Sequence, residues 1–315
     1  MAENNGQNMV TEQVPGTEVK AVSDKKLRIG YVFLSLVPVA IFLVIQTACQ
    51  MPFFIMASVE AVNNPDAPSD PIDAVYYLME IFNDKYAVYA YLSYAVIGLV
   101  VFGIWYFKSY VKTGPKLKFS QVFGVKSLVA AIAGSLGFFF AINAALTLAE
   151  MLIPWAMEEY HQLVELSGLG SDTVITVVYA ICLGPILEEL VFRGVVFSFL
   201  EKSNIKPVFT ILITAVLFGF VHMNIVQGLY AAALGIFLGF MRYKYRSIMI
   251  TILAHIVLNA TGTYGEILLG KFDISDGIYL ILGGISLFVI AFSVYLDRKS
   301  RRVGKECRSR WSPYH

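Results

Sequence analysis

The stretch TVITVVYAICLGPILEELVFRGVVFSFL, residues 173–200, is apolar over most of its length but holds Glu188, Glu189 and Arg193. It is long enough to cross a bilayer as a helix, which takes about 20 residues. The whole chain has this apolar character, since 57% of its residues are hydrophobic and 15% are charged. A soluble domain carries about 25% charged residues. We therefore expect lipid to surround most of the chain.

Seven further stretches of the chain are also apolar. They are residues 29–49, 86–107, 128–155, 207–222, 227–241, 248–262 and 278–295. No alternation with a period of two is sustained, as a membrane-spanning barrel would need. We predict an all-α, polytopic integral membrane bundle of about eight transmembrane helices. Gly235 and Gly239 form a small-x-x-x-small face, which favours close helix packing, with dimerisation as the alternative.

Basic side chains mark every second connection between these spans. They precede the first span and follow the second, fourth, sixth and eighth, as Lys25, Lys26, Arg28, Lys108, Lys112, Lys116, Lys118, Lys126, Lys202, Lys206, Arg242, Lys244, Arg246, Arg298, Lys299, Arg301 and Arg302. The connections after the first and third spans are acidic. By the positive-inside rule we expect both termini in the cytoplasm and the protein in the cell membrane.

The two ends of the chain differ from its middle. Residues 1–26 are polar and lack an apolar segment near Met1, so we predict a disordered tail and no signal peptide. Residues 298–315 form a basic C-terminal tail, and residues 27–297 form the transmembrane domain, with a functional core at about 173–263. The net charge is +1, so the total charge gives no sign of nucleic-acid binding. The apolar composition makes the lipid bilayer the expected partner.

Polar side chains also occur within other predicted spans. A charge at the centre of a transmembrane helix costs about 2.5–3.5 kcal/mol on insertion scales, so such residues usually serve function or pair together. His255 and Asn259 are four residues apart and share a helix face, as do Phe218 and His222. From the basic ends of their spans, Glu188, His222 and Asn259 lie roughly 18–22 Å deep, and His255 roughly 12 Å. We expect one shared site.

The two adjacent glutamates have different expected roles. Glu189 and Arg193 are four residues apart and can form an ion pair, which would brace the site. Glu188 lies about 100° around the helix and stays free for chemistry. Pro185 frees the carbonyl of Ile181 and kinks the helix. A water-filled pocket beside Glu188 would satisfy that carbonyl.

Three ordered motifs resemble those of a known family. Glu188-Glu189-x-x-x-Arg193, Phe218-x-x-x-His222 and His255-x-x-x-Asn259 are similar to the motifs of the CAAX-processing and bacteriocin-processing (CPBP/Abi) family of intramembrane glutamate endopeptidases. This family includes the type II CAAX prenyl-protein endopeptidases. The resemblance covers about residues 183–262.

The resemblance implies a hydrolytic site and assigns its residues. The first glutamate and the next histidine, Glu188 and His222, would activate water, and His255 and Asn259 would form an oxyanion hole. Side-chain N–H groups suit that second task, and no nucleophile elbow occurs in the sequence. Glu189, Arg193 and Phe218 would support the site. The expected partner is a peptide or lipidated peptide, with no metal or cofactor. The oligomeric state stays open.

Three other functions fit parts of the pattern. A zinc-dependent membrane protease could use two histidines and a glutamate, although the His-Glu-x-x-His spacing is absent. A non-catalytic role, in bacteriocin immunity or sensor-kinase regulation, is associated with some members of the resembled family. A proton-coupled transporter could use Glu188 and His222 as a relay, but no inverted repeat of broken helices occurs.

Overall fold

The computed structural model describes residues 26–111, 119–166, 174–270 and 277–286. Within these ranges the chain forms helices and no β-strand, so the all-α prediction is confirmed. The predicted tail at 298–315, and all but the last residue of the tail at 1–26, lie outside the described residues. So does the second half of the eighth predicted span, from residue 287.

The described residues contain nine helices of ten or more residues. They are α1 Ile29–Asn63, α2 Pro71–Val111, α3 Val125–Leu152, α4 Pro154–Leu166, α5 Val174–Lys202, α6 Pro207–Phe220, α7 Ile225–Tyr245, α8 Ile248–Gly270 and α9 Gly277–Ser286. Six of them, α1, α2, α3, α5, α7 and α8, are long and apolar enough to cross a membrane. The protein is thus an integral membrane protein. Eight crossings and cytoplasmic termini stay predictions.

The outer faces of these helices are apolar. Phe33 in α1, Val44 in α1 and Val216 in α6 are each at least 64% exposed. Exposed large apolar side chains occur along all of the long apolar helices. The surface of a soluble monomer rarely has extensive apolar patches. Lipid chains are the environment that these faces fit.

Two connections that the charge pattern predicts as acidic loops are largely helical. α1 continues past residue 49 to Asn63, and α2 begins at Pro71, not near residue 86. Asp70 caps α2, because its side chain accepts hydrogen bonds from the backbone N–H groups of Ile72 and Asp73. Glu60 joins the two extensions by binding Lys85 and the Tyr86 hydroxyl. The acidic residues therefore lie on helical extensions.

The third predicted span ends earlier than expected. α3 stops at Leu152, and Pro154 begins the separate helix α4, since proline is well suited to the first turn of a helix. Trp155, which the prediction placed at the end of the span, belongs to α4. Much of the second acidic connection is thus a short amphipathic helix.

Helix α5 lies at the centre of the bundle. Its side chains Leu187, Val191, Phe192, Val196 and Leu200 are all fully buried. They belong to one apolar cluster with residues of α1, α2, α3, α6, α7 and α8. Because α5 is held from so many directions, the polar residues that it carries have fixed surroundings.

Helices α6 and α7 form a tightly packed hairpin. A Cβ added to Gly235 would lie 2.7 Å from the Cα of Ala215, and one added to Gly239 would lie 3.1 Å from an Ile211 methyl group. The two glycines therefore let α6 approach α7 within the chain. Close packing, the first of the two expectations for this face, is what the structure has.

Helix α6 is too short to cross a bilayer alone. Its 14 residues extend about 21 Å, against about 30 Å for the hydrocarbon core. His222 follows its end in a turn, and Met223 has a φ of 57°. Asn224 then caps α7 by accepting from the Gln227 backbone N–H. Irregular backbone at membrane depth is tolerated where it lines a cavity, and this turn does so.

Candidate active site

The acidic pair lies between two wide π-helical turns of α5. One turn covers Tyr179–Leu183 and the other Leu190–Val196, with the regular segment Gly184–Glu189 between them. The Glu188 side chain is 25% exposed, whereas that of Glu189 is fully buried. The two carboxylates therefore have different surroundings, as their 100° separation on the helix requires.

Glu189 and Arg193 form a buried ion pair. Arg193 Nη1 donates to Glu189 Oε1 over 2.8 Å, and both side chains are fully buried. Arg193 Nη2 also lies 3.4 Å from the carbonyl oxygen of Gly235 in α7, and the guanidinium lies 4.4 Å from the ring centroid of Phe218 in α6. A buried charge needs such partners because its desolvation is costly. Arg193 thus connects α5 to both helices of the hairpin.

His255 of α8 lies between the two glutamates. Its Nδ1 is 3.1 Å from Glu189 Oε1, and its Nε2 is 3.7 Å from Glu188 Oε2. Since the Glu189 carboxylate also accepts from Arg193, His255 Nδ1 is the donor in its contact with Glu189. The other ring nitrogen, Nε2, faces the exposed glutamate.

His222 has its ring orientation set by Phe218. Its Nδ1 lies 2.8 Å from the Phe218 carbonyl oxygen, which can only accept, so Nδ1 carries the proton. In the neutral ring Nε2 is then the free acceptor. The Phe218 side chain packs edge-on against both His222 and His255. Phe218 therefore contacts the two histidines and Arg193.

Asn259 holds the kinked part of α5. Its Nδ2 donates to the carbonyl oxygen of Ala180 over 2.9 Å. Ala180 is five residues before Pro185, which is the partner that a π-helical turn would give to the missing proline N–H. The expectation named Ile181, four residues before the proline, because it assumed a regular α-helix. The wide turn moves the free carbonyl back by one residue, and a side chain satisfies it.

One cavity brings these side chains together. It has a volume of about 460 Å³. The residues from the three motifs that line it are Glu188, Phe218, His222, His255 and Asn259. Glu189 and Arg193 are buried behind its wall. The four residues predicted for catalysis share one cavity.

Other polar residues of the cavity carry no motif signal. Gln46 and Gln50 of α1, Tyr91 of α2 and Gln227 of α7 all line it. Gln46 and Gln50 are four residues apart, so they lie on one face of α1. In the sequence, two carboxamide side chains four residues apart within an apolar span were the feature that could have indicated a polar site here. These side chains add polar groups to the cavity wall beyond those of the three motifs.

Arg242 differs from its expected position. The charge pattern placed it with Lys244 and Arg246 among the basic residues of a connection, but it lies inside α7 and is fully buried. Its Nε donates to the carbonyl oxygen of Arg193 over 3.1 Å. The charge pattern could not reveal this burial, because Arg242 is only three residues from the end of α7 and was counted with the basic residues that follow it.

The described residues contain no group of three or more His, Cys, Asp or Glu side chains placed to hold a metal ion. Glu188, Glu189 and His255 are close to one another. Glu189, however, is already bound to Arg193 and to the Nδ1 of His255. The arrangement is therefore an acid–imidazole network braced by an arginine.

Comparison with known proteins agrees with this geometry. The family model described as type II CAAX prenyl endopeptidase Rce1-like matches residues 170–261, which run from just before α5 into α8 and include all three motifs. This segment is similar to the type II CAAX prenyl endopeptidase family. The similarity supports the family prediction for the part of the chain that builds the site.

A curated bacterial protein is also similar to part of this chain. "Putative membrane peptidase YdiL" of Bacillus subtilis (strain 168) is 35% identical over 86 residues, which are 27% of this chain and 34% of that protein. The match thus spans about a third of the relative's length. No solved structure matches this chain.

Proposed function

We propose that the protein is an intramembrane endopeptidase that hydrolyses a peptide bond with water activated by Glu188 and His222. The observation that carries the proposal is that one polar cavity in an apolar bundle collects the side chains Glu188, His222, His255 and Asn259. Polar groups at such a place are costly unless they serve function. Similarity of the site-bearing segment to a family of prenyl endopeptidases supports the same reaction.

Glu188 and His222 are the groups suited to activate water. The Glu188 carboxylate reaches the cavity, unlike that of Glu189. His222 offers Nε2 as an acceptor, because its Nδ1 proton is bound to the Phe218 carbonyl. A water between the two would donate one hydrogen to each, which increases the nucleophilicity of its oxygen.

His255 and Asn259 are the groups suited to stabilise the oxyanion. Asn259 uses one N–H of its amide for Ala180 and has a second N–H for the substrate. His255 donates through Nδ1 to Glu189, so donation from Nε2 requires a ring with two protons. The carboxylates of Glu188 and Glu189 both lie near that ring, and Arg193 shares the charge of Glu189. Donors fixed in this way stabilise developing negative charge strongly in a site that excludes water.

The proposed reaction balances as ordinary hydrolysis. The water oxygen attacks the peptide carbonyl carbon while Glu188 takes one proton. The carbonyl oxygen carries the negative charge of the tetrahedral intermediate. The C–N bond then breaks, and the Glu188 proton passes to the departing nitrogen. A carboxylic acid and an amine result, and the acid proton then passes to the amine, with no metal or other cofactor in any step.

The substrate proposed is a peptide or lipidated peptide that reaches the cavity from the bilayer or its surface. We place the protein in the cell membrane with both termini in the cytoplasm, on the basis of the alternating basic connections. Arg28 N–H donates to the Ser203 carbonyl, and Asn204 Nδ2 to the Lys26 carbonyl. The basic segment before α1 and the connection after α5 therefore lie at one end of the bundle.

The test is a peptidase assay with purified protein in detergent or lipid nanodiscs. Fluorogenic peptides with and without a prenylated cysteine are compared, using wild type, Glu188→Ala and His222→Ala. We expect cleavage by wild type, loss in both variants and full activity in the presence of a chelator. Wild type that cleaves no peptide, or variants that cleave as well as wild type, would refute the proposal. Loss of activity with chelator would indicate the zinc alternative.

A further inference from the structure

Arg242 is a buried cation outside the family motifs. It is 0% exposed, although it lies three residues before the end of α7 and its neighbours Lys244 and Arg246 are exposed. A long basic side chain near a helix end normally extends to the interface and keeps its charge in water. The Arg242 side chain is instead buried inside the bundle, so other groups must compensate the cost of removing its charge from water.

Its guanidinium contacts residues of α2 and α5. The guanidinium carbon is 4.7 Å from the ring centroid of Tyr110 and 5.2 Å from that of Phe197. Nη2 is 3.7 Å from Glu201 Oε2. Nε donates to the carbonyl oxygen of Arg193 over 3.1 Å. Two aromatic rings and one carboxylate thus lie near the guanidinium charge, and the hydrogen bond is made to the backbone of α5.

That hydrogen bond reaches the wide turn of α5. Arg193 lies in the π-helical turn Leu190–Val196, where the regular pattern of backbone hydrogen bonds is altered. The backbone of Arg193 is bound by Arg242, and its side chain binds Glu189. Glu189 in turn binds His255. A continuous series of contacts therefore runs from Arg242 to the imidazole that faces Glu188.

We propose that Arg242 is a positioning residue, which holds the π-helical turn of α5 so that Arg193 and Glu189 place His255 against Glu188. Its catalytic consequence rests on the proposed peptidase function, whereas its structural part does not. Arg242 has no contact with the cavity. It acts through the backbone of Arg193, and the planar guanidinium provides the Nε–H at the required place.

The first test measures the position of His255 without any substrate. Histidine labelled with ¹⁵N gives signals from four residues, His161, His222, His255 and His315, and His255→Ala identifies the relevant one. In Arg242→Met we expect the His255 ring signals to move while those of His161, on α4, stay in place. Lys244→Met, which removes an exposed cation from the same helix, should leave His255 unchanged. Unchanged His255 signals in Arg242→Met would overturn the proposal.

The second test measures cleavage. We expect Arg242→Met to lower kcat by about 10- to 100-fold, the size of effect that a misplacement of about 1 Å can have, with KM within about threefold of wild type. Lys244→Met should match wild type. If Arg242 acts through Glu189, the combination with Glu189→Gln should cost less than the product of the two single effects. Independent, multiplying effects would overturn the proposal.

A third variant covers the case in which Arg242→Met does not fold. Arg242→Lys keeps the buried cation but removes the planar donor, so it should melt near wild type while the His255 signal still moves. Wild type without activity would refute the peptidase function alone, because the His255 signal is read without cleavage. A His255 signal that stays fixed in Arg242→Lys would refute the positioning role alone.

Discussion

His255 Nδ1 and Glu189 Oε1 lie 3.1 Å apart, and both side chains are almost completely buried. The same carboxylate oxygen accepts a hydrogen bond from Arg193. One oxygen atom therefore binds both the Arg193 guanidinium of α5 and the His255 imidazole of α8. This sharing is the reason why we propose Glu188, and not Glu189, as the general base. Its oxygen is committed to holding other groups, whereas Glu188 faces the cavity.

Glu188→Gln should lower the cleavage rate by about 10²- to 10⁴-fold, the usual contribution of a general base. The amide keeps the shape of the side chain, so the melting temperature in detergent should stay within error of wild type. Glu159→Gln, which changes an exposed acid of α4, is the control and should retain full activity. An active Glu188→Gln protein would show that another group removes the proton from water.

Glu189→Leu should destabilise the fold, because it leaves the Arg193 charge buried without its acid. Breaking one partner of a buried pair costs about 3–5 kcal/mol. The double variant Glu189→Leu/Arg193→Met should recover most of that loss, since no unpaired charge remains, yet it should stay inactive. Denaturation curves and cleavage assays on the three proteins check this. A double variant less stable than Glu189→Leu alone would contradict a structural role for the Glu189–Arg193 ion pair.

Asn259→Ala should lower kcat by about 10²- to 10³-fold, as expected for the loss of one oxyanion donor. It should also lower stability by about 1 kcal/mol, because the Ala180 carbonyl loses its partner. Asn143→Ala is a matched control, since the Asn143 amide also donates to a backbone carbonyl, that of Phe139, over 2.9 Å. Asn143 does not line the cavity. Equal kcat values for both variants would count against an oxyanion role.

Gly235→Ala should destabilise the hairpin of α6 and α7, because its Cβ would lie 2.7 Å from the Cα of Ala215. Backbone must move to relieve such a contact, and overpacking of this kind costs about 1–3 kcal/mol. Gly262→Ala provides the contrast, since nothing lies within 4 Å of its added Cβ. That variant should gain about 0.5–1 kcal/mol. Melting temperatures that change equally would disprove the close packing.

The helical bundle and the motif residues of the cavity could be predicted from local pattern. Glu188, His222 and Asn259 stand out because ionisable and amide groups are rare in apolar spans, and helical spacing indicates which of them share a face. The depth estimate for His255, roughly 12 Å, suggested a shallower position than its contacts with both glutamates indicate. Depth along separate helices takes no account of tilt or of the wide turns of α5.

Features that depend on a neighbouring helix could not be predicted. The burial of Arg242 requires Tyr110 and Phe197 on other helices, and no local pattern distinguishes it from an interfacial arginine. The glutamines of α1 carry no motif. The extensions of α1 and α2 are stabilised by the contacts of Glu60 with Lys85 and Tyr86, which the chain separates widely. Acidic charge alone indicated a loop, and long-range pairing overrode it.

The two wide turns of α5 have a mechanical consequence. A regular helix advances about 100° per residue, so each widened turn changes the angle between the segments on either side. The acidic pair lies between the two turns, so the direction in which Glu188 projects depends on both of them. Straightening either turn would rotate the Glu188 side chain relative to at least one end of α5. Asn259 and Arg242 each donate a hydrogen bond to a backbone carbonyl in one of these turns.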